Sequence, residues 1–388
     1  MRALAIAAAL ALAGCATTPV ATSPTVAAPA AAPRAQALAM LEAAMAEHGV
    51  PGLSVAVYRD DRMVLSEALG VANMELDAPA TPNTLFRTGS IAKAVTGSIA
   101  ARMAARGEID LDRPVGEYLP DWPASHPPIT LRQLLGHLGG IRHYTAEDRD
   151  TFGKGSIDFA LYPNTASALA IFKDDPLVAP PGESFNYSTF GFTLIGAVLE
   201  AASGKSFAQL LHDEVTAPTG IADIRLDSFL TVVPNRASFY DRIPASLAMM
   251  LPSRRVPGAS DYMISLPLNS SYKYAGGGMI ATADALARFG ALHFAPGFLP
   301  PGIYAETMTR QRDAAGEPTG TGLAWWVQED AAGRRFIGHT GSQQGAFAML
   351  AVYPQERVSI AIMTNLGPDG LPISELGADI AALYISAP

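Results

Sequence analysis

The distribution of strand and helix patterns along the 388 residues is the feature that most constrains the fold. Short apolar runs rich in valine, isoleucine and leucine predict strands near both ends of the chain. They cover residues 53–58 and 62–69 near the start, and residues 323–328, 346–353 and 358–364 near the end. Residues 85–300 are predicted to be mostly helical. We therefore expect an α/β (α+β) fold, in which an antiparallel sheet built from both termini is flanked by helices and interrupted by one inserted region.

Two further helices are predicted outside the inserted region. Apolar residues recur at helical spacing over residues 38–45 and again over residues 373–384. Gly49 and Pro51 end the first of these patterns. The folded domain is accordingly expected to span residues 35–388.

The first 34 residues predict export and membrane anchoring. Arg2 supplies a basic start, and the apolar run over residues 3–13 is too short to span a bilayer, which is typical of a signal peptide. The run ends in Leu-Ala-Gly followed by Cys15, which resembles a bacterial lipobox; an ordinary signal peptide that contains a cysteine is the alternative. We expect residues 1–14 to be a lipoprotein signal peptide and Cys15 to be lipidated.

Residues 15–34 are rich in alanine, proline and threonine and lack periodicity, so they predict a disordered tether. With the lipid on Cys15, this organisation predicts a lipoprotein exported to the periplasmic face of a bacterial membrane, which we expect to be the outer membrane. The membrane is then one partner of the protein, reached through its lipid anchor.

Composition argues against several other classes of protein. The chain has 36 acidic and 27 basic residues and a net charge of −9, which argues against a nucleic-acid partner. Cys15 is the single cysteine, so no intrachain disulfide can form, and the seven histidines are scattered. Neither a metal site nor another cofactor is therefore expected, and the remaining partner is a small-molecule or peptide substrate.

A serine and a lysine three residues apart form the first candidate catalytic motif. Ser90 precedes an alanine-rich apolar run that ends near Gly107, which predicts that Ser90 begins a helix and that Lys93 follows on the same face. A buried lysine can lose its proton and act as the base that a serine nucleophile needs. Free N–H groups at a helix start can also stabilise an oxyanion. The alternative is a helix cap followed by a surface lysine.

Tyr187 is the second candidate. It follows a Pro-Gly turn and precedes an apolar run that predicts a helix over residues 192–199. A phenol beside a lysine ammonium can have a lowered pKa and relay a proton. The alternative is a tyrosine that packs at a helix entry.

The third candidate is the segment Gly-His-Thr-Gly-Ser over residues 338–342, at a predicted strand entry. Glycine allows a substrate backbone to approach closely, and Ser342 can offer a backbone N–H to an oxyanion hole. His339 and Thr340 can hold a carboxylate or polarise the site. The alternative is a hairpin turn.

Taken in this order, the three elements resemble those of the serine β-lactamase and penicillin-binding-protein superfamily, particularly its class C β-lactamase and esterase branch. The resemblance covers about residues 36–388. Longer segments resemble the mitochondrial β-lactamase-like members of the superfamily, namely residues 129–144, 187–194, 235–240 and 271–278.

The resemblance implies a role for each motif. Ser90 would form the acyl-enzyme, and Lys93 and Tyr187 would share the acid–base work. The backbone N–H groups of Ser90 and Ser342 would form the oxyanion hole. The substrate side of the site would be lined by Thr189, His339, Thr340 and Gly341.

Two departures from the superfamily pattern weaken the expectation of antibiotic hydrolysis. Thr189 stands where many relatives have asparagine, so it cannot offer an amide to the substrate. His339 stands where many relatives have lysine, so it supplies no permanent positive charge. We therefore expect a serine hydrolase that acts on amides or esters, as a peptidase or esterase. A β-lactamase or DD-peptidase acting on cell-wall-type substrates and an inactive binding or scaffold protein are the alternatives.

Several other residues receive structural interpretations. His137 and His143 flank a glycine turn and are expected to stabilise it, with gating of the cleft as the alternative. Trp325 and Trp326 are assigned to the core and rim of the sheet. Gly276, Gly277 and Gly278 are expected to form a packing turn beside the active site. Residues 144–180 and 226–268 are expected to form the walls of the cleft.

Overall fold

The computed structural model describes residues 31–149, 156–244 and 261–385. Within these ranges the centre of the protein is a seven-stranded antiparallel sheet in the order β3–β2–β1–β12–β11–β10–β9. Its strands are β1 (Gly52–Arg59), β2 (Arg62–Asn73), β3 (Ala78–Pro79), β9 (Trp326–Glu329), β10 (Arg335–Gln343), β11 (Ala346–Tyr353) and β12 (Val358–Thr364). The fold class predicted from the sequence is confirmed.

The two ends of the chain meet at the centre of this sheet. Strand β1 pairs with β12 from Leu53 opposite Thr364 to Arg59 opposite Val358. All seven residues of β12 are buried, which explains why this strand is mostly apolar, with Ser359 and Thr364 as its two polar residues. Strands β11 and β12 have the bounds that the sequence predicts, whereas β9 begins three residues later than predicted. Ala324 has a positive φ of 67°, so the chain turns there before it enters the sheet.

The regular secondary structure of the inserted region is mostly helical, as predicted, although turns and loops make up more of its described length. Its helices are α2 (Ala92–Ala105), α3 (Leu131–Leu135), α4 (Thr165–Ala168), α5 (Thr189–Ser203), α6 (Phe207–Leu211), α7 (Ala217–Thr219), α8 (Tyr274–Gly277) and α9 (Ala283–Ala291). Helix α10 (Pro301–Thr307) leads back toward the sheet. The region also contains two small antiparallel sheets that the sequence did not indicate. One joins β4 (Phe86–Arg87), β8 (Met279–Ala281) and β5 (Ile224–Leu226), and the other joins β6 (Tyr240–Arg242) to β7 (Tyr262–Ile264).

The boundary predicted between the tether and the folded domain needs a correction. Helix α1 (Ala31–His48) begins four residues before Ala35. Its first turn is held because Arg34 Nε donates a hydrogen bond to Glu67 of β2 at 2.7 Å, and Ala37 and Leu41 are buried further along. Residues 1–30, with the predicted signal peptide and Cys15, lie outside the described residues.

The two faces of the large sheet carry two hydrophobic cores. The face toward the inserted region packs against α9 and, at β10, against α2. The core on this side continues through α5 and includes Phe190, Phe289 and Trp325. The opposite face is covered by α1 and by α11 (Ile373–Ile385). Burial of apolar side chains on both faces holds the sheet between two layers of helices. None of the helices in the described ranges has the length and apolarity needed to cross a membrane.

Candidate active site

Ser90 lies where a short 3₁₀ turn (Gly89–Ile91) leads into α2. Gly89 has a φ of 50°, a conformation that favours glycine, and it turns the chain from β4 into the helix. Lys93 follows one turn later on the same face. The two side chains meet as predicted, with Lys93 Nζ 3.1 Å from Ser90 Oγ.

Lys93 is buried completely, and its Nζ has three hydrogen-bond partners. They are Ser90 Oγ at 3.1 Å, Thr189 Oγ1 at 3.0 Å and the carbonyl oxygen of Gly276 at 2.5 Å. None of the carboxylates in the described part of the chain pairs with it. Burial, and then the positive charge of Lys273, hold the pKa of Lys93 well below its usual value. Lys93 is therefore a base able to accept the proton of Ser90.

Tyr187 completes this group. Its hydroxyl is hydrogen-bonded to Ser90, and Lys93 Nζ lies 4.8 Å from the centre of its ring. The sequence led us to expect a lowered pKa for this phenol, and that expectation is wrong in direction. Burial raises the pKa of Tyr187, because the charged phenolate loses more from desolvation than the hydrogen bond from Ser90 returns. Tyr187 is a neutral hydroxyl that can accept one proton while it donates another.

Two neutral histidines hold the segment that carries Tyr187. His137 Nδ1 accepts a hydrogen bond from the backbone N–H of Ser188 at 3.2 Å, and His143 Nδ1 accepts one from Thr189 at 3.1 Å. Burial lowers the pKa of His143 to about 4 and that of His137 well below its usual value. Both rings therefore keep the lone pair that the backbone N–H groups need. These contacts favour the structural interpretation of the two histidines over a gate.

Strand β10 forms the opposite side of the site. His339 is buried, with its ring centre 6.4 Å from that of Tyr187, and burial lowers its pKa to about 3. It is therefore a neutral ring in the site. The side chains of Thr340 and Ser342 are exposed on the other face of the strand, because successive residues of a strand alternate. The side chain of Thr340 therefore does not lie on the face of the strand that carries His339. This placement does not support the predicted contact between the Thr340 side chain and a substrate.

Gly341 is the point where β10 touches the turn that carries Ser90. A Cβ atom at Gly341 would lie 1.8 Å from the carbonyl oxygen of Thr88 and 3.0 Å from the backbone nitrogen of Ser90. A Cβ atom at Gly89 would lie 2.7 Å from the nitrogen of Ser342. The backbone nitrogens of Ser90 and Ser342 therefore both lie beside this contact. Such proximity is what an oxyanion hole requires, and the role itself stays a prediction.

Thr189 lies in a different place from the one predicted. The sequence assigned it to the substrate side of the site, but its side chain is buried and its Oγ1 faces Lys93 Nζ. Ser188 caps helix α5 by accepting a hydrogen bond from Gly191, so Thr189 is the first residue of the helix and turns toward α2. The role in substrate binding is corrected to one of holding Lys93.

Lys273 is a site residue that the sequence reasoning missed. Its side chain is 4% exposed, and its Nζ lies 5.2 Å from the ring centre of Tyr272 and 6.0 Å from that of Tyr144. The predicted packing turn lies between Lys273 and the turn that carries Ser90. A Cβ atom at Gly277 would lie 3.7 Å from Lys273 Cδ and 3.8 Å from the carbonyl oxygen of Gly89. The signal available in the sequence was a basic residue between two tyrosines, immediately before that turn.

A cavity of about 560 Å³ opens beside Tyr144. Both segments that were expected to wall the cleft contribute to it, and Gln344 at the end of β10 closes one side. The first segment supplies Tyr144, Arg149, Asp158 and Phe159, and the second supplies Asp241, Met263, Leu266 and Leu268. Among the described residues, no group of three or more histidine, cysteine or acidic side chains is placed to hold a metal ion.

The fold and the Ser90–Lys93–Tyr187 cluster together define a serine hydrolase of the β-lactamase type. Residues 38–382 match the family model described as Beta-lactamase, so the chain belongs to the β-lactamase family, whose members include esterases and peptidases. The superfamily indicated by the sequence motifs is thereby confirmed.

Individual relatives span most of the chain. It is 27% identical to the mitochondrial serine beta-lactamase-like protein LACTB of Bos taurus, over 86% of this chain and 74% of the relative. It is 28% identical to Esterase EstB of Burkholderia gladioli, over 86% of this chain and 90% of the relative. The octameric penicillin-binding protein homologue from Pyrococcus abyssi shares the fold, with a TM-score of 0.74 at 23% identity, over 90% of this chain and 77% of that one.

Proposed function

We propose that this protein is an esterase or peptidase that cleaves ester or amide bonds through an acyl-enzyme on Ser90. The contact that supports the proposal best is the one between Ser90 Oγ and the buried Lys93 Nζ at 3.1 Å. A serine hydroxyl beside a lysine whose pKa is lowered by burial is an activated nucleophile.

The reaction follows from the arrangement of three side chains. Lys93 takes the proton of Ser90 as Oγ attacks the carbonyl carbon of the substrate, and the oxyanion that forms accepts hydrogen bonds from the N–H groups of Ser90 and Ser342. Tyr187 donates its proton to the leaving oxygen or nitrogen and receives one from Lys93, so that the carbonyl–leaving-group bond breaks and the acyl-enzyme remains. Water then attacks the carbonyl carbon of the acyl-enzyme and loses a proton to the same groups. The bond between Ser90 Oγ and the acyl carbon breaks, the carboxylic acid leaves, and Oγ takes back a proton.

A β-lactamase or DD-peptidase is the second candidate, and the surroundings of His339 and Thr189 weigh against it. His339 is neutral, so the position offers no permanent cation to a substrate carboxylate. Thr189 faces Lys93 and has no amide to offer. The similarity to a relative named as an esterase supports the first candidate.

The proposed chemistry can be tested with a covalent probe followed by a substrate panel. A fluorophosphonate probe should add one label to the wild-type protein, mapped by peptide mass spectrometry to Ser90, and none to Ser90→Ala. A folded wild-type protein without an adduct would overturn the hydrolase proposal in favour of an inactive scaffold. Rates on p-nitrophenyl esters, D-amino-acid amides and a chromogenic cephalosporin then separate the candidates, since the proposal expects the cephalosporin to be the poorest substrate.

The proposal includes export and lipid anchoring, because Cys15 ends an apolar run that resembles a lipobox. Expression of the full chain in a Gram-negative host with radiolabelled palmitate should give a labelled protein in the membrane fraction. The Cys15→Ser variant should lose the label and leave that fraction. Equal labelling and fractionation of the two proteins would contradict the anchor, and separation of inner from outer membranes tests the expected outer-membrane location.

A further inference from the structure

We infer that Lys273 binds a carboxylate on the acyl part of the substrate, so that the preferred substrates are esters or amides of short aliphatic acids with a second, ionised carboxyl group. This inference rests on the proposed function, because it concerns the substrate of the same Ser90 site.

The first observation is a largely buried lysine whose ammonium makes no hydrogen bond or ion pair with a described residue. The side chain of Lys273 is 4% exposed, and its Nζ makes no hydrogen bond or ion pair with any of the described residues. Its ammonium lies over the uncharged rings of Tyr272 and Tyr144, and the negative charges of Asp158 and Asp227 act on it without forming an ion pair. Burial lowers the pKa of Lys273 to about 8, so the group is still mostly charged at neutral pH. A charge buried without a partner is costly, which points to an anion that arrives with a ligand.

The nearby carboxylates are occupied by other partners. Asp158 accepts hydrogen bonds from Arg149 at 2.8 Å and from the hydroxyl of Tyr272 at 2.9 Å. Asp227 is paired with Arg87 at 3.0 Å and with Arg236 at 3.3 Å. Each of these acids therefore has an arginine as its ion-pair partner, and the ammonium of Lys273 remains available to a ligand.

The second observation is the position of Lys273 between the nucleophile and the cavity. On one side, the aliphatic part of its side chain lies close to Gly277, which in turn lies close to Gly89, the residue before Ser90. On the other side, its ammonium lies over Tyr144, which lines the cavity of about 560 Å³. A group that extends from an acyl carbon on Ser90 toward Tyr144 would therefore come close to Lys273.

The acyl part of the substrate is the part that faces the cavity. Tyr187, the proposed proton donor to the leaving group, lies beside Trp326 and His339 at the other end of the site, with ring centres 6.4 Å from each. Tyr187 also has His143 on its cavity side, with ring centres 5.7 Å apart. The inference places the leaving group on the side of Trp326 and His339, and the acyl part on the side of Tyr144. Phe159, Met263, Leu266 and Leu268 give the cavity apolar walls that suit methylene groups.

Matched pairs of esters test this inference. We would compare kcat/KM for mono-p-nitrophenyl glutarate with p-nitrophenyl pentanoate, and for mono-p-nitrophenyl adipate with p-nitrophenyl hexanoate. Rates obtained with Ser90→Ala are subtracted to remove spontaneous hydrolysis. In the wild-type protein we expect at least one anionic ester to be preferred over its neutral match by about ten- to a hundredfold, as a charge-assisted hydrogen bond allows.

The variant Lys273→Met should abolish this preference, whereas the matched control Lys205→Met should keep it. Lys205 is an exposed lysine paired with Asp213 at 2.7 Å. If the wild-type protein hydrolyses the neutral esters but prefers neither anionic one, or if the preference survives in Lys273→Met, the inference fails while the proposed function stands. If no ester is hydrolysed above the Ser90→Ala rate, the proposed function itself has failed. The ratio of kcat/KM between the anionic and neutral esters in the wild-type protein is a test by itself. The inference can therefore be refuted even if Lys273→Met folds poorly.

Discussion

Thr189 Oγ1 lies 3.0 Å from Lys93 Nζ, although 96 residues separate the two in the chain. With the carbonyl oxygen of Gly276 on another side, this contact fixes the amine so that it faces Ser90 Oγ. The base is thus oriented by a hydroxyl and a backbone carbonyl, and no carboxylate in the described part of the chain stabilises its charged form.

Removal of the Thr189 hydroxyl should reduce kcat. Valine has nearly the same shape but cannot hydrogen-bond to Lys93, so we expect Thr189→Val to lower kcat by about tenfold, with KM little changed, and Thr189→Ser to restore most of the rate. Steady-state kinetics on one p-nitrophenyl ester measure both constants. A rise in KM at constant kcat would instead return Thr189 to the substrate-binding role predicted from the sequence.

Lys93 should make the folded state less stable as the pH falls below 10.5. Its pKa is lowered in the folded state, so between that lowered value and 10.5 the unfolded chain binds a proton that the folded protein does not. Stability contributed by this group therefore rises with pH across that window. In urea unfolding from pH 7 to pH 10, the free energy of unfolding of the wild-type protein should rise relative to that of Lys93→Met. A difference between the two proteins that does not change with pH would contradict the lowered pKa.

A methyl group at Gly341 should disable the site. The added Cβ would meet the carbonyl oxygen of Thr88 at 1.8 Å and must push β10 away from the turn of Ser90. We expect Gly341→Ala to lower kcat by about a hundredfold or more, the effect of a misplaced oxyanion donor. The control is Gly302→Ala in α10, where a Cβ atom meets nothing within 4 Å. Kinetics together with circular dichroism give the result, and a folded, fully active Gly341→Ala would refute the assignment of Ser342.

The buried pair of Arg87 and Asp227 should contribute far more to stability than an exposed pair. Arg87 Nε donates to Asp227 at 3.0 Å with both side chains almost completely buried, so Arg87→Met leaves a buried carboxylate with one fewer partner. We expect a loss of about 3–5 kcal/mol in the free energy of unfolding. Arg225→Met, which breaks an exposed pair with Asp223, should cost about 1 kcal/mol or less. Urea unfolding measures the loss in both variants. Similar losses would contradict the larger contribution expected from the buried pair.

The sequence predicted those parts of the fold that depend on local pattern. Strands β11 and β12 are largely apolar runs separated by a polar turn, so their bounds could be predicted directly. Ser90 and Lys93 are neighbours on one helix, so spacing alone brought them together. The start of α1 was missed because what orders its first turn is a contact of Arg34 with Glu67 in another element.

The rest of the site depends on contacts between distant segments. Nothing near Thr189 indicates that its side chain turns inward to Lys93, and nothing near Lys273 indicates that its ammonium is buried beside the nucleophile. The direction of the Tyr187 pKa was also beyond the sequence, because it depends on how far burial outweighs the surrounding hydrogen bonds.

The most direct test of the account is the rate at which Ser90 is acylated with and without Lys93. Stopped-flow measurement of p-nitrophenol release from an activated ester, at enzyme concentrations that resolve the first turnover, reports this step alone. We predict that Ser90→Ala shows no first turnover and that Lys93→Ala acylates several orders of magnitude more slowly than the wild-type protein. Acylation of Lys93→Ala at a near-normal rate would show that the base lies elsewhere and would contradict the account.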